Sequence, residues 1–251
     1  MELATAAARA LALLDLTSLE ADDTAAKIDA LCRRAATPAG PVAAVCIYAS
    51  FVPLARRLLA PGIHVATVAN FPGGDGAPAA VADEIRQAVA AGADEVDVVF
   101  PYAAFAVGDR SAARDLLAAA RAASAGRTLK VILETGRLSP AQITEAARLA
   151  IVEGADFLKS STGKLQPAAT PEAARLLLDA AATSGRRVGV KLAGGIRSTD
   201  QAASYLALAD RIMGTGWAAR ETFRFGASAL LDDLLAALGH KPAVMPSGNR
   251  Y

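Results

Sequence analysis

Histidine, cysteine and lysine are all scarce in this 251-residue chain, with two, two and six copies against twenty arginines. The two histidines, His64 and His240, are too few to build a His-rich metal cluster. The two cysteines, Cys32 and Cys46, are too few for a disulfide framework and fit a reducing cytoplasm. No run of about 20 uninterrupted apolar residues offers a bilayer span. The start, Met1-Glu2-Leu3, lacks the basic opening of a secretory signal. A formal net charge of +1 leaves no strong field for nucleic acid or an anionic membrane as the main partner.

What is present is a rhythm. The chain is 53% hydrophobic and 20% charged, and short Val/Ile-rich runs alternate with Ala/Leu/Arg segments. Eight strands are predicted, at Ala43–Tyr48, His64–Asn70, Glu95–Phe100, Leu129–Thr135, Asp156–Ser161, Val188–Ala193, Arg211–Gly214 and Phe223–Gly226. Helices are predicted over Ala77–Ala91, Ser111–Ala125, Ser139–Glu153, Thr170–Ser184 and Ser198–Leu208, several opening on Ser or Thr caps. Two more, Glu2–Leu14 and Asp22–Ala36, precede the first predicted strand, with Asp22 or Asp23 as a cap for the second. Gly-Ala-Asp recurs at 92–94 and 154–156, where glycine suits a helix C-terminus before a strand. Eight βα units in about 250 residues suit a single (β/α)8 TIM barrel with extra N-terminal helices, spanning 1–239. A doubly wound sheet competes, but no Gly-x-Gly-x-x-Gly follows the first strand. Residues 240–251 lack periodicity and are expected to form a loose C-terminal tail.

Half of the lysines fall inside apolar runs. Lys130, Lys159 and Lys191 interrupt Leu-Lys-Val-Ile-Leu, Phe-Leu-Lys-Ser-Ser and Val-Gly-Val-Lys-Leu. Burial disfavours an ammonium and lowers its pKa, and a free amine is what attack on a carbonyl requires. In a barrel, Lys159 and Lys191 point inward from neighbouring predicted strands five and six, each opposing protonation of the other. Asp97 and Lys130, on predicted strands three and four, complete an acid–base set; the alternative for that pair is a purely structural ion pair.

A second constellation reads as an anion cradle. Gly194-Gly195-Ile196-Arg197 follows the Lys191 strand, Phe225-Gly226-Ala227-Ser228 opens the last helix, and Ser161-Thr162-Gly163-Lys164 follows the Lys159 strand. Free amides at a helix N-terminus, bare glycine backbones and cations suit a phosphate in the late-strand region of a barrel. Cys46 ends the first predicted strand, where a small buried thiol is favoured over a reactive one. His64 opens the second predicted strand without an evident partner, and Trp217 reads as rim packing.

These motifs resemble one family over Leu14 to Gly239. They are Asp15-Leu-Thr, Gly92-Ala-Asp-Glu-Val-Asp-Val-Val, Lys130-Val-Ile-Leu-Glu-Thr, Phe157-Leu-Lys-Ser-Ser-Thr-Gly, Val190-Lys-Leu-Ala-Gly-Gly-Ile-Arg and Phe225-Gly-Ala-Ser. The chain is identified as a member of the deoxyribose-phosphate aldolases, which are class I (Schiff-base) enzymes. The resemblance implies reversible cleavage of 2-deoxy-D-ribose 5-phosphate into D-glyceraldehyde 3-phosphate and acetaldehyde, with no cofactor and no metal. It implies Lys159 as the imine lysine, Lys191 as its electrostatic and proton-transfer partner, Asp97 as the proton carrier and Lys130 as the residue holding Asp97. Asp15 and Thr17 join that polar network, and Thr162, Gly163, Lys164, Gly194, Gly195, Arg197, Gly226 and Ser228 take up substrate and phosphate. It further implies a homodimer acting in cytoplasmic deoxyribonucleotide breakdown, and a C-terminal Tyr251 that reaches the active site. Two departures stand out: Ala229 where some members have a second serine, and Leu192 where proline or a small residue is common. A pyridoxal-phosphate enzyme, a metal-dependent aldolase or isomerase and a non-catalytic phosphate-binding module are the competing readings.

Overall fold

Strands buried on both faces read as continuous apolar runs, and here they close on one another. In the computed structural model, which describes residues 2–240, eight parallel strands form a closed barrel. They are β1 (Leu14–Thr17), β2 (Ala44–Ile47), β3 (His64–Ala69), β4 (Glu95–Val99), β5 (Thr128–Ile132), β6 (Phe157–Lys159), β7 (Gly189–Ala193) and β8 (Phe223–Ala227). Each pairs with its sequence neighbour, and β8 returns to β1 with Leu14 opposite Phe225. Around them lie α1 (Leu3–Ala12), α2 (Ala25–Arg34), α3 (Val52–Leu58), α4 (Pro78–Ala90), α5 (Tyr102–Ala106) and α6 (Arg110–Ala123). The circuit continues with α7 (Pro140–Val152), α8 (Pro171–Ala182), α9 (Thr199–Met213) and α10 (Leu230–Ala237). A hairpin of two-residue strands at Ala36–Thr37 and Gly40–Pro41 follows α2. This is the (β/α)8 TIM barrel that the alternation predicts.

Local chemistry sets the helix starts. Ser139 and Ser198 build capping boxes with Gln142 and Gln201, while Thr170 accepts from the Ala173 amide. The α2 cap is Thr24, not Asp22 or Asp23. Asp22 instead pairs with Lys27, and Asp23 accepts from the Ser18 hydroxyl and the Glu20 amide. The main apolar core lies between barrel and helices and includes Leu192, whose side chain is fully buried there.

Two expected elements differ. The first barrel strand is Leu14–Thr17, whose opening residue the helical pattern from Glu2 absorbs into the first helix. Arg211–Gly214 is not a strand: α9 runs on to Met213, and Gly214, at φ +93°, terminates it. Helical spacing continues through Tyr205, Leu206 and Ala209, all buried, so the Ile212-Met213 pair extends a helix face. The barrel count therefore shifts, placing Asp97 on β4, Lys130 on β5, Lys159 on β6 and Lys191 on β7. No helix among the described residues is long and apolar enough to cross a membrane.

Candidate active site

The inside of the barrel is divided. Small apolar side chains of β2 and β3, namely Ala44, Cys46, Ala66 and Val68, form one wall with Leu19. Facing it is a stack of long charged side chains from β1, β4, β5, β6, β7 and β8, which fill the volume that a barrel ordinarily gives to branched aliphatics. Small residues on one wall make room for long ones on the other.

The stack begins at the N-terminal ends of the strands. Arg224 donates to Glu95 Oε1 at 2.8 Å and to Asp15 Oδ1 at 2.5 Å. Lys130 bridges Glu95 Oε2 at 2.5 Å and Asp97 Oδ1 at 2.8 Å. Lys191 bridges Asp15 Oδ2 at 2.6 Å and Asp97 Oδ2 at 2.8 Å. Lys159 donates to that same Asp97 Oδ2, also at 2.8 Å. In-register pairing sets this up: Asp97 lies opposite Lys130, Lys159 opposite Lys191, and Lys191 opposite Arg224.

Four cationic side chains thus meet three carboxylates, all essentially buried. Burial of charge is tolerated only with partners, and three carboxylates fully neutralise three cations. Lys159 is the fourth. Its ammonium is disfavoured by burial, and Lys191 adds to that effect against the opposing pull of Asp97, so its pKa is lowered. Lys191 behaves otherwise: despite burial, Asp15 and Asp97 hold its pKa well above the ordinary value. Lys130 is also raised, by Asp97 and Glu95 acting against burial. The expectation that burial depresses all three lysines is corrected: the carboxylates reverse the effect of burial at Lys130 and Lys191. Asp97 itself is held well below the usual carboxylate range, since Lys130, Lys159 and Lys191 outweigh its burial.

Above the stack opens a cavity of about 240 Å³. Of the stack, Lys159 alone lines it; Asp15, Asp97, Lys130 and Lys191 lie beneath its floor. The cavity wall brings together Thr17, Thr162, Gly163, Lys164, Gly194, Gly195, Arg197, Gly226 and Ser228, all singled out from the sequence, with Leu19, Ile196 and Ala229 between them. Gly194 and Gly195 have φ of +89° and +82°, conformations natural to glycine. Ala229 is the N-cap of α10 and forms no side-chain cap, so amides of its first turn lack that partner. Gly226 has a further reason to be bare: a Cβ there would come within 2.9 Å of Lys191 Cε. Cys46 is fully buried in the apolar wall, and burial pushes its thiol up, as suits a packing role. Tyr251 lies outside the described residues. A larger groove, about 750 Å³, runs between α8 and α9 outside the barrel and contains no member of the stack.

Several participants were not foreseen from sequence. Arg224 and Glu95 form the base of the stack, and His64 has a partner after all, with Nδ1 2.6 Å from Glu95 Oε1. Glu134, buried and in the left-handed region at φ +52°, accepts from the Thr162 amide at 3.2 Å and hydroxyl at 2.5 Å, fixing the loop after β6. Lys164 is engaged by Glu20, 3.2 Å from each carboxylate oxygen, so an incoming anion competes with that pair.

The family model for DeoC/LacD family aldolases matches residues 9–235. A Toxoplasma gondii protein described as a candidate deoxyribose-phosphate aldolase superposes with a TM-score of 0.87 at 27% identity, over 96% of this chain and 97% of that one. A Coccidioides immitis protein of the same description gives 0.82 at 27% identity, over 92% and 86%. The tetrameric deoxyribose phosphate aldolase of Aeropyrum pernix shares the fold, with a TM-score of 0.73 at 24% identity over 94% and 96%. With its barrel, its buried lysines and this match along most of its length, the chain belongs to the DeoC/LacD family of aldolases.

Proposed function

We propose that this aldolase cleaves 2-deoxy-D-ribose 5-phosphate reversibly, through an imine on Lys159. The observation that carries the reading is the position of Lys159: alone of the buried stack it reaches a cavity walled by anion donors. The neutral amine attacks C1 of the open-chain aldehyde, and loss of water from the carbinolamine leaves a protonated imine. That imine is an electron sink. The C3 hydroxyl gives up its proton, the C2–C3 bond breaks, and its electron pair moves toward the imine. D-glyceraldehyde 3-phosphate departs with C3 as its aldehyde carbon, leaving an enamine. Protonation at C2 and hydrolysis then release acetaldehyde and restore the amine.

In this reading Asp97, beneath the cavity floor, moves protons to and from the reacting atoms through a bound water, its Oδ2 touching both Lys159 and Lys191. Burial, with Lys191 as a fixed cation beside it, disfavours a proton on Lys159, while Lys130 holds the other oxygen of Asp97 and Asp15 holds Lys191. Arg197, Lys164, Ser228 and the glycine backbones at 163, 194, 195 and 226 take the phosphate, whose remote binding energy positions C1 over the amine. The same reading assigns the enzyme to cytoplasmic deoxyribonucleotide breakdown, acting as a homodimer.

Incubation with deoxyribose 5-phosphate and borohydride, followed by peptide mapping, tests the assignment. The reduced adduct is expected on the peptide containing Lys159; an adduct on any other lysine, or none, overturns it. A second expectation concerns Gly226. Because its absent Cβ makes way for Lys191 Cε, Gly226→Ala should lower kcat about tenfold or more while KM changes little, displaced geometry near reacting groups being costly. If KM rises and kcat holds, Gly226 serves the phosphate alone.

A further inference from the structure

The stack does not end beneath Lys159. It passes through the barrel and comes out on the opposite face, where a second cavity of about 250 Å³ is lined by His64, Glu95, Asp156, Arg220, Glu221 and Arg224, among others. From that face the chain of contacts is continuous: Arg224 to Asp15, Asp15 to Lys191, Lys191 to Asp97, and Asp97 to Lys159. A parallel route runs from Glu95 through Lys130 to Asp97. We propose that Arg224 and Glu95 are positioning residues that set the charge carried by Lys159 from the far end of the barrel, without touching substrate.

Charge and shared atoms both lead there. Asp15 divides its oxygens between Arg224 and Lys191, and Lys130 divides its ammonium between Glu95 and Asp97. Remove Arg224, and the excess negative charge left at Asp15 and Glu95 favours a proton on Lys159. Remove the charge of Glu95, and the interior becomes more positive, which disfavours that proton. The groups facing Glu95 are His64 from β3, Lys130 from β5, Arg224 from β8 and, as a like charge, Asp15 from β1. Those facing Arg224 are Asp15 and Glu95, with the Arg220 carbonyl accepting from Nε and the Phe157 ring 5.7 Å away. Lys159 itself meets Asp97, Lys191 and Cys46 inside the barrel, with Glu20, Lys164 and Arg197 around the cavity. Arg224 compensates the buried Asp15 and Glu95 carboxylates, so its removal is expected to cost stability as well as to shift charge toward Lys159, and the test reads the two effects separately.

This inference rests on the reading of Lys159 as the imine lysine, and the test separates the two. The pH dependence of kcat/KM for deoxyribose 5-phosphate is measured in the unmodified protein, Arg224→Met, Arg224→Lys, Glu95→Gln and the double variant Arg224→Met/Glu95→Gln, with melting temperatures and borohydride mapping alongside. The acid limb, where Lys159 gains its proton, is expected to move up by about one pH unit in Arg224→Met and down by a similar amount in Glu95→Gln, the scale of one charge a few side chains away. Arg224→Lys keeps the original limb, and the double variant returns close to it. A merely structural role would lower melting temperatures without opposite displacements. Limbs that stay put, or move together, overturn the proposal; if Arg224→Met fails to fold, a limb unmoved in Glu95→Gln does so alone. An adduct away from Lys159 in the unmodified protein instead defeats the functional reading.

Discussion

Lys159→Arg is expected to abolish both borohydride trapping and turnover, with a loss of about 10⁴-fold or more, the scale seen when a nucleophile that works within a coupled set is removed. A guanidinium stays protonated at any pH of interest and cannot form the imine. The same substitution has a second consequence. In the unmodified protein three carboxylates neutralise Lys130, Lys191 and Arg224, so a permanently charged side chain at 159 leaves one buried cation uncompensated. Lys159→Met is equally inactive but leaves three charges against three. The melting temperature of Lys159→Met should therefore equal or exceed that of the unmodified protein, whereas that of Lys159→Arg falls. Thermal melts of the two inactive variants check this ordering; equal destabilisation of both would show that charge balance does not govern the stack.

Asp97→Asn is expected to produce the largest loss of stability of any single isosteric change. Asp97 accepts from three lysines, two of them on one oxygen, and its amide counterpart carries no charge and points two hydrogens at an ammonium. Leaving a buried charge without its partner costs about 3–5 kcal/mol, or about 10 °C in melting temperature for a chain of this length. Turnover is expected to fall as well, Asp97 being the proposed proton carrier. The amine responds differently: the anion that favours its protonation is gone, so Lys159 becomes neutral at lower pH than before, and slow single-turnover trapping should persist with its acid limb displaced downward. A limb displaced upward would mean that Asp97 acts on Lys159 in some way other than through its charge.

The barrel was legible in the alternation of apolar runs with helical segments, and the buried lysines in a second signal: an ammonium in the middle of an apolar strand is costly enough to stand out. Lys159 and Lys191 announce themselves in that way, and in-register pairing does the rest. Asp15 was legible as a motif but not as part of a strand, because β1 has four residues and too few alternations to show a period. Arg211–Gly214 misled in the opposite direction, since two apolar residues followed by glycine end a helix as readily as they form a short strand. Arg224 was hidden by abundance: as one of twenty arginines in the chain, it carried no signal beside Phe223 and Phe225, although it clamps two buried carboxylates at once. Glu134 was legible as part of the Lys130-Val-Ile-Leu-Glu-Thr motif, but its left-handed φ and its contact with Thr162 belong to a tertiary arrangement that no local pattern shows.

The two halves of the barrel interior have a practical consequence for altering this enzyme. The buried charge stack lies below the cavity floor, whereas Leu19, Ile196 and Ala229 give the cavity part of its shape above it. On the proposed reading, reshaping the apolar lining at Leu19, Ile196 or Ala229 is expected to leave the charges around the amine in place, and substitutions at Glu95 or Arg224 to leave the contour of the binding space untouched. Preference and pH optimum become independent handles on one catalyst.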